Sequence, residues 1–277
     1  MPELPEVESL RRMLAGSARG RRIVSAKIRE PRLRRRVAPD FTRMIAGRTI
    51  CELDRRAKYL LIALSGDLTL LAHLGMSGSL THRGHGFCDQ DFDLAHDHLH
   101  FELDDGTALV YNDPRRFGLL KLVPTAQLDT VAELRGLGPE PLGPDFNAEY
   151  LFRQTRGRRV AIKNLIMDQR VVAGVGNIYA CEILFAAKVR PGRAAGRVSR
   201  AEAGKIVEFT KAILTRAIGS GGTTFRNYRD SQGLPGRFAS DLRVYGREGE
   251  RCYVCGNPIK NRVLGQRASF YCAFCQH

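Results

Sequence analysis

Apolar positions along this chain change their spacing twice. Val7, Leu10 and Leu14 recur at helical intervals and stop at Gly16, which predicts one short amphipathic helix over Val7–Ala15. The runs RRIVSAKI, TICELD, YLLIAL, LTLLAHL, HLHFEL and TALVYN that follow are short, apolar and partly β-branched. Ser65-Gly66-Asp67 and Asp104-Asp105-Gly106 punctuate them as turns, so this part predicts a β-sandwich or barrel. Between Pro124 and Phe146 the pattern fails, and GLGPEPLGPDF holds residues that break both helices and strands. Helical spacing then takes over in AEYLFRQT, AIKNLIMDQ, NIYACEILFAAK and AEAGKIVEFTKAILTRAIG.

These changes predict an α+β, multidomain chain: an N-terminal helix with a β-sandwich lobe over 1–134, a linker over 135–146, a helical lobe over 147–246 and a small tail over 247–277. No uninterrupted apolar run approaches the roughly 20 residues a spanning helix needs. The opening MPELPEVESLRRML carries two prolines and three glutamates before any apolar stretch. That fits neither a secretory signal nor an acid-poor transit peptide, so a cytoplasmic protein with no membrane partner is expected.

Charge narrows the partner. The formal net charge is +15, distributed as +9 over residues 1–60, −9 over 61–150 and +15 over 151–277. Clustered Lys and Arg release counterions from phosphate, so two separate basic regions favour a polyanion. Composition alone leaves RNA and anionic membranes open beside DNA.

The tail is too short to bury a core of its own. Cys252, Cys255, Cys272 and Cys275 form two CxxC pairs with sixteen residues between them, a spacing that presents four thiolates to one Zn²⁺. With all four positions filled by protein, the zinc is expected to be structural, in a zinc ribbon. Cys51, Cys88 and Cys181 are scattered and read as ordinary reduced cysteines. His96, His98 and His100 alternate, which suggests one strand face, solvated or hydrogen-bonded, ahead of a second metal site.

The blocks PELPEVE, HLGMSG, NDPRRFG, VVAGVGNIYACE, SGGTTFRNY and GQRASFYCAFCQ, in this order, resemble the formamidopyrimidine-DNA glycosylase family over nearly the whole chain. The resemblance implies a bifunctional glycosylase and AP lyase that excises oxidised purines from double-stranded DNA. It also implies a helix-two-turn-helix in the helical lobe, and a monomer is expected. Removal of Met1 would free Pro2 as a secondary amine, and an α-amino group titrates near pH 8, so part of it is unprotonated in the cell. Glu3 would be the acid/base and Glu6 a supporting carboxylate; acids near a helix start also complement its dipole, a reading equally open for Glu6 and Glu8.

Lys58 matches the lysine that grips phosphate beside the lesion, and Arg267, in the ribbon hairpin, could reach another. Pro2, Glu3, Lys58 and Arg267 are thus the expected catalytic set. Met76, Arg115 and Phe117 match three side chains that fill the gap left by a flipped nucleotide, with Arg115 able to pair with the orphaned cytosine. Asn177, before a helical run, reads as an N-cap and a phosphate ligand. Glu6, His96 and Lys163 complete the expected DNA contacts. The chain departs from the family over HRGHGFCDQDFDLA (82–95) and at Arg237, where an aromatic residue is expected. Two alternatives remain open: an endonuclease VIII-like enzyme for oxidised pyrimidines, and a non-enzymatic zinc-ribbon DNA-binding protein.

Overall fold

The computed structural model describes residues 2–84, 95–223 and 238–277. Met1, Cys88, Arg237 and most of the 82–95 segment lie outside the described residues. The chain divides into two compact units, Met1–Arg135 with Ser220–Arg237, and Gly136–Gly219 with Phe238–His277.

In the first unit, helix α1 (Leu4–Ser17) begins three residues earlier than its apolar spacing predicts. Strands β1 (Ile23–Ile28), β2 (Ile50–Arg56), β3 (Tyr59–Leu64), β4 (Leu68–His73), β5 (Ser79–Arg83), β6 (Asp97–Leu103), β7 (Ala108–Asn112) and β8 (Leu119–Pro124) follow, with a short helix α2 (Phe41–Ile45) after β1. They pair antiparallel into two four-stranded sheets, ordered β1-β6-β7-β5 and β2-β3-β4-β8. Both sheets contribute to one core, which includes Leu60, Ile62 and Leu70 from one and Leu99, Phe101 and Tyr111 from the other. Val7, Leu10 and Leu14 of α1 join it, as their spacing requires.

β3 alternates buried and half-buried residues, whereas β4 is buried on both faces. The second face of β4 is covered by a cluster in which Leu71, Leu119 and Val123 pack with Leu128, Val131 and Leu134. That explains why LTLLAHL lacks two-residue alternation. β5 and β8 are absent from the apolar runs read as strands, because SLTHR is polar and LLKLVP is continuous with the linker pattern.

The second unit holds α3 (Ala148–Thr155), α4 (Ile162–Met167), α5 (Asn177–Ala186) and α6 (Arg200–Gly219), then the hairpin β9 (Ile259–Leu264) and β10 (Arg267–Cys272). α5 packs against α4, α6 and β10. Covered on several sides, it is apolar nearly all round, with Ile178 to Phe185 buried. Among the described residues no helix is long and apolar enough to cross a membrane. The sequence places the chain after α6 in the helical lobe; instead, Ser220–Arg237 groups with the first unit. A polar contact decides this, because the Thr223 N–H donates to the buried Glu6 carboxylate at 2.7 Å.

Candidate active site and nucleic-acid interface

The N-terminus is fixed by one carboxylate. Pro2 and Glu3 are buried just ahead of α1. Glu6 accepts the Glu3 N–H through Oε2 at 2.7 Å and the Thr223 N–H through Oε1 at 2.7 Å. It therefore ties the start of the chain to the segment after α6. Gly222 crosses directly over it with φ +82°, and a Cβ there would come within 2.8 Å of Glu6 Oε1. Glycine is required both by the backbone and by the space. Glu8 does the ordinary work open to a helix acid: although burial raises its pKa, Arg11 and Arg12 hold it down at about 2.

Lys58 lies in the turn joining β2 to β3 and is buried. The same end of the sheet carries His73, opposite Tyr59 in the β3–β4 register. Burial first, then the charges of Lys58 and Arg34, push its pKa down to about 4. The imidazole is consequently neutral, and its Nδ1 accepts the Gly75 N–H at 2.9 Å. His73 had no role in the sequence reading, although it opens the HLGMSG block.

Met76 and Phe117 are of types that usually fill a core, yet both are exposed, by 37% and 44%. Their loops touch: a Cβ on Gly75, at φ +64°, would fall 2.4 Å from the Phe117 carbonyl carbon. Asp113 organises both loops from beneath. Its Oδ1 accepts from the Ser77 hydroxyl at 2.7 Å, and its Oδ2 from the Gly118 N–H at 2.8 Å and the Tyr111 hydroxyl at 3.2 Å. The Arg115 N–H also reaches Oδ1, at 3.3 Å, an Asx turn set up by Asp before Pro. Arg116 is left-handed at φ 56°, a conformation that costs about 1 to 2 kcal/mol per non-glycine residue and is sustained by the surrounding bonds. On this frame the Arg115 guanidinium lies 4.7 Å from the centre of the Phe117 ring, with no hydrogen-bond or ion-pair partner among the described residues.

His96 precedes β6 and is exposed, while His98 on β6 is buried and bonds the Asp113 carbonyl at 2.8 Å. Among the described residues, these histidines form no cluster suited to a metal.

In the second unit the structure corrects two expectations. Asn177 is the first residue of α5 and Gly176 its N-cap, so Asn177 does not cap the helix. Its Nδ2 instead donates to the Ala268 carbonyl at 3.0 Å. Lys163 is fully buried, and its Nζ is spent inside the fold, donating to the same carbonyl at 3.0 Å and to Ser269 Oγ at 2.6 Å. Both residues hold the strand that begins at Arg267, which is itself exposed. Glu182, also without a role in the sequence reading, accepts the N–H groups of Arg243, Val244 and Tyr245 at 2.8 to 2.9 Å. Burial raises its pKa, against three bonds that lower it.

The sulfurs of Cys252, Cys255, Cys272 and Cys275 lie within 4.8 Å of one another and could hold a metal ion. Cys252–Cys275 and Cys255–Cys272 are 3.9 and 3.4 Å apart, close to the about 3.8 Å edge of a tetrahedron with metal–sulfur bonds of about 2.3 Å. Cys51 and Cys181 are free thiols.

Two family models match the chain: the formamidopyrimidine-DNA glycosylase N-terminal domain over residues 1–120, and the formamidopyrimidine-DNA glycosylase H2TH domain over 137–229. The chain belongs to the formamidopyrimidine-DNA glycosylase family. Glycosylases of that name from Thioalkalivibrio sulfidiphilus and Stenotrophomonas maltophilia K279a are 50% and 46% identical to it, each matched over the full length of both chains. Among solved structures, the Thermus thermophilus MutM (Fpg) protein superposes with a TM-score of 0.87 at 39% identity, covering 99% of this chain and 98% of that one. A Lactococcus lactis Fpg in complex with DNA containing an abasic site gives 0.91 at 32% identity, over 99% of each chain. The family fold thus accounts for both the sheet lobe and the H2TH helices of this glycosylase-family chain.

Proposed function

We infer that the protein is a base-excision repair DNA glycosylase and AP lyase acting on oxidised purines, with Pro2 as nucleophile. The observation that carries this reading is the Glu6 clamp, which immobilises Glu3, and with it the residue before, against the Thr223 segment. The Glu3 bond alone is a helix capping box; the second bond, to Thr223 in a segment distant in sequence, is what a cap does not need. Once Met1 is removed, the Pro2 secondary amine attacks the sugar C1′ and the damaged base leaves with the bonding electrons. The cationic iminium acidifies the neighbouring C2′, whose proton is lost as the 3′ phosphate bond breaks; a second elimination releases the 5′ phosphate. Glu3 relays protons during ring opening and elimination. Glu6 positions the nucleophile and does not react.

Met76, Arg115 and Phe117 replace the flipped nucleotide, their exposure supporting a role outside the core. Arg115 offers a fork of donors to the orphaned base. Lys58, Asn177 and Arg267 bind backbone phosphates of damaged duplex DNA, while Lys163 positions Arg267 through Ala268 and Ser269. The four cysteines hold one structural Zn²⁺, which supplies no chemistry but folds the ribbon around the hairpin. A cytoplasmic, monomeric enzyme fits this role.

The test is borohydride reduction of the processed chain with a duplex containing 8-oxoguanine, followed by mass spectrometry of the adduct. Attachment at residue 2 is expected. Attachment only to an internal lysine, or no adduct despite base release, would refute the assignment; faster excision of thymine glycol would favour the endonuclease VIII-like alternative.

A further inference from the structure

The hairpin that carries Arg267 has a second basic feature. Antiparallel pairing sets Leu264 opposite Arg267, Arg262 opposite Ser269 and Lys260 opposite Tyr271, so Arg262 and Arg267 project from the same face. Arg262, Leu264 and Tyr271 form one wall of a cleft of about 310 Å³, and Arg190, Arg193 and Arg197 form the other.

The four guanidiniums are not equivalent. Arg190 donates to the Gln276 and Ala273 carbonyls, and Arg193 to Glu202 and the Arg197 carbonyl, so both brace the cleft. Arg197 and Arg262 are exposed, and among the described residues neither guanidinium has a hydrogen-bond or ion-pair partner. Two unpaired donor forks beside a braced, positively charged wall suit a phosphodiester anion. Position selects which anion. Arg262 is displaced from Arg267 by two residues along the hairpin, about 6.6 Å, and by one strand spacing of about 4.8 Å, so its fork reaches a phosphate neighbouring the one at Arg267.

We propose that the cleft between residues 190–197 and the β9–β10 hairpin is a second phosphate-holding site, in which Arg197 and Arg262 grip the DNA backbone beyond the phosphate reached by Arg267. The proposal rests on the reading of Arg267 as a phosphate contact. The cleft lengthens the footprint on flanking duplex and leaves the chemistry at the lesion untouched.

The experiment measures binding of the full, zinc-loaded chain to duplexes bearing a tetrahydrofuran abasic analogue. One duplex ends at the phosphate reached by Arg267, and the other is extended by a helical turn at each end. Arg197→Ala combined with Arg262→Gln, which removes both guanidiniums, should weaken the long duplex about tenfold and leave the short one unchanged. The slope of log affinity against log salt on the long duplex should become shallower by about two. Zinc content, melting temperature and the single-turnover excision rate at saturating protein should match the unmodified chain. Wild-type affinity on the long duplex, or an equal loss on both lengths, would overturn the proposal. Arg267→Ala should weaken both lengths; if it weakens neither, the reading beneath the proposal fails, and the double variant still reports on the cleft separately.

Discussion

Asp113 and Glu182 are both buried carboxylates that gather backbone N–H groups, one in each unit, yet they serve opposite ends. Asp113 draws Ser77, Tyr111, Arg115 and Gly118 inward and thereby leaves Met76, Arg115 and Phe117 exposed above a fixed backbone. Glu182 binds three successive N–H groups at 243–245, and the chain runs from there into the cysteine cluster. The first carboxylate makes a loop able to present side chains. The second ties a small tail to a helical core. A buried carboxylate is therefore no marker of chemistry by itself; what its bonded segment exposes decides its purpose.

Removing the metal should separate the two units most sharply. Chelation, or Cys252→Ala, should unfold the ribbon, because binding free energy is folding free energy in such sites. DNA affinity should collapse, while near-UV circular dichroism and melting of the β-sandwich persist. Loss of both structures together would show that the units do not fold independently.

Glu182→Gln comes next. Its amide NH₂ would face an N–H donor, and leaving buried donors unpaired should cost about 2 to 4 kcal/mol of stability. Zinc should exchange faster, with single-turnover excision at saturating protein nearly unchanged. A large loss of excision rate with stability intact would assign Glu182 to the reacting side of the molecule.

Asp113→Asn should cost somewhat less, about 2 kcal/mol, since an amide oxygen can still serve part of its network. Here excision should suffer before zinc does. Arg115→Ala leaves that frame whole and removes only the donor fork, so melting should be unaffected. The preference for excising 8-oxoguanine opposite cytosine over adenine should shrink by about 1 to 2 kcal/mol. An unchanged ratio would mean that Arg115 does not read the orphaned base.

The smallest effect is a pH dependence confined to the first unit. His73 has a folded pKa of about 4, depressed by burial and then by Lys58 and Arg34. Its unfolded value is about 6.5, so the stability is fully present above that pH and is lost as pH falls from 6.5 towards 4. Thermal melts of wild type and His73→Gln over this window should differ; identical profiles would remove His73 from the loop's support.

Much of the fold was legible in the sequence. α1, six strands and the four main helices follow from apolar spacing, because an element facing one core must repeat its apolar residues with its own period. β5 and β8 were not legible, since a polar edge strand and a strand running into a turn carry no such repeat. At the candidate site, residue type and spacing marked the four cysteines, whereas Pro2 and Glu3 stood out only through the family resemblance. Neither signal could assign Asp113, Glu182 or His73, whose partners include backbone atoms that have no sequence signature.

The sequence by itself determined the family and the four-thiolate cluster, because both depend on residue types at fixed chain positions. Only the tertiary structure decided that Lys163 supports Arg267 from inside the fold, that Asn177 bonds the hairpin and does not cap α5, and that the segment after α6 returns to Glu6. Those outcomes rest on hydrogen bonds between groups 91 to 217 residues apart. Direction and burial decide such bonds, and both exist only once the chain has folded.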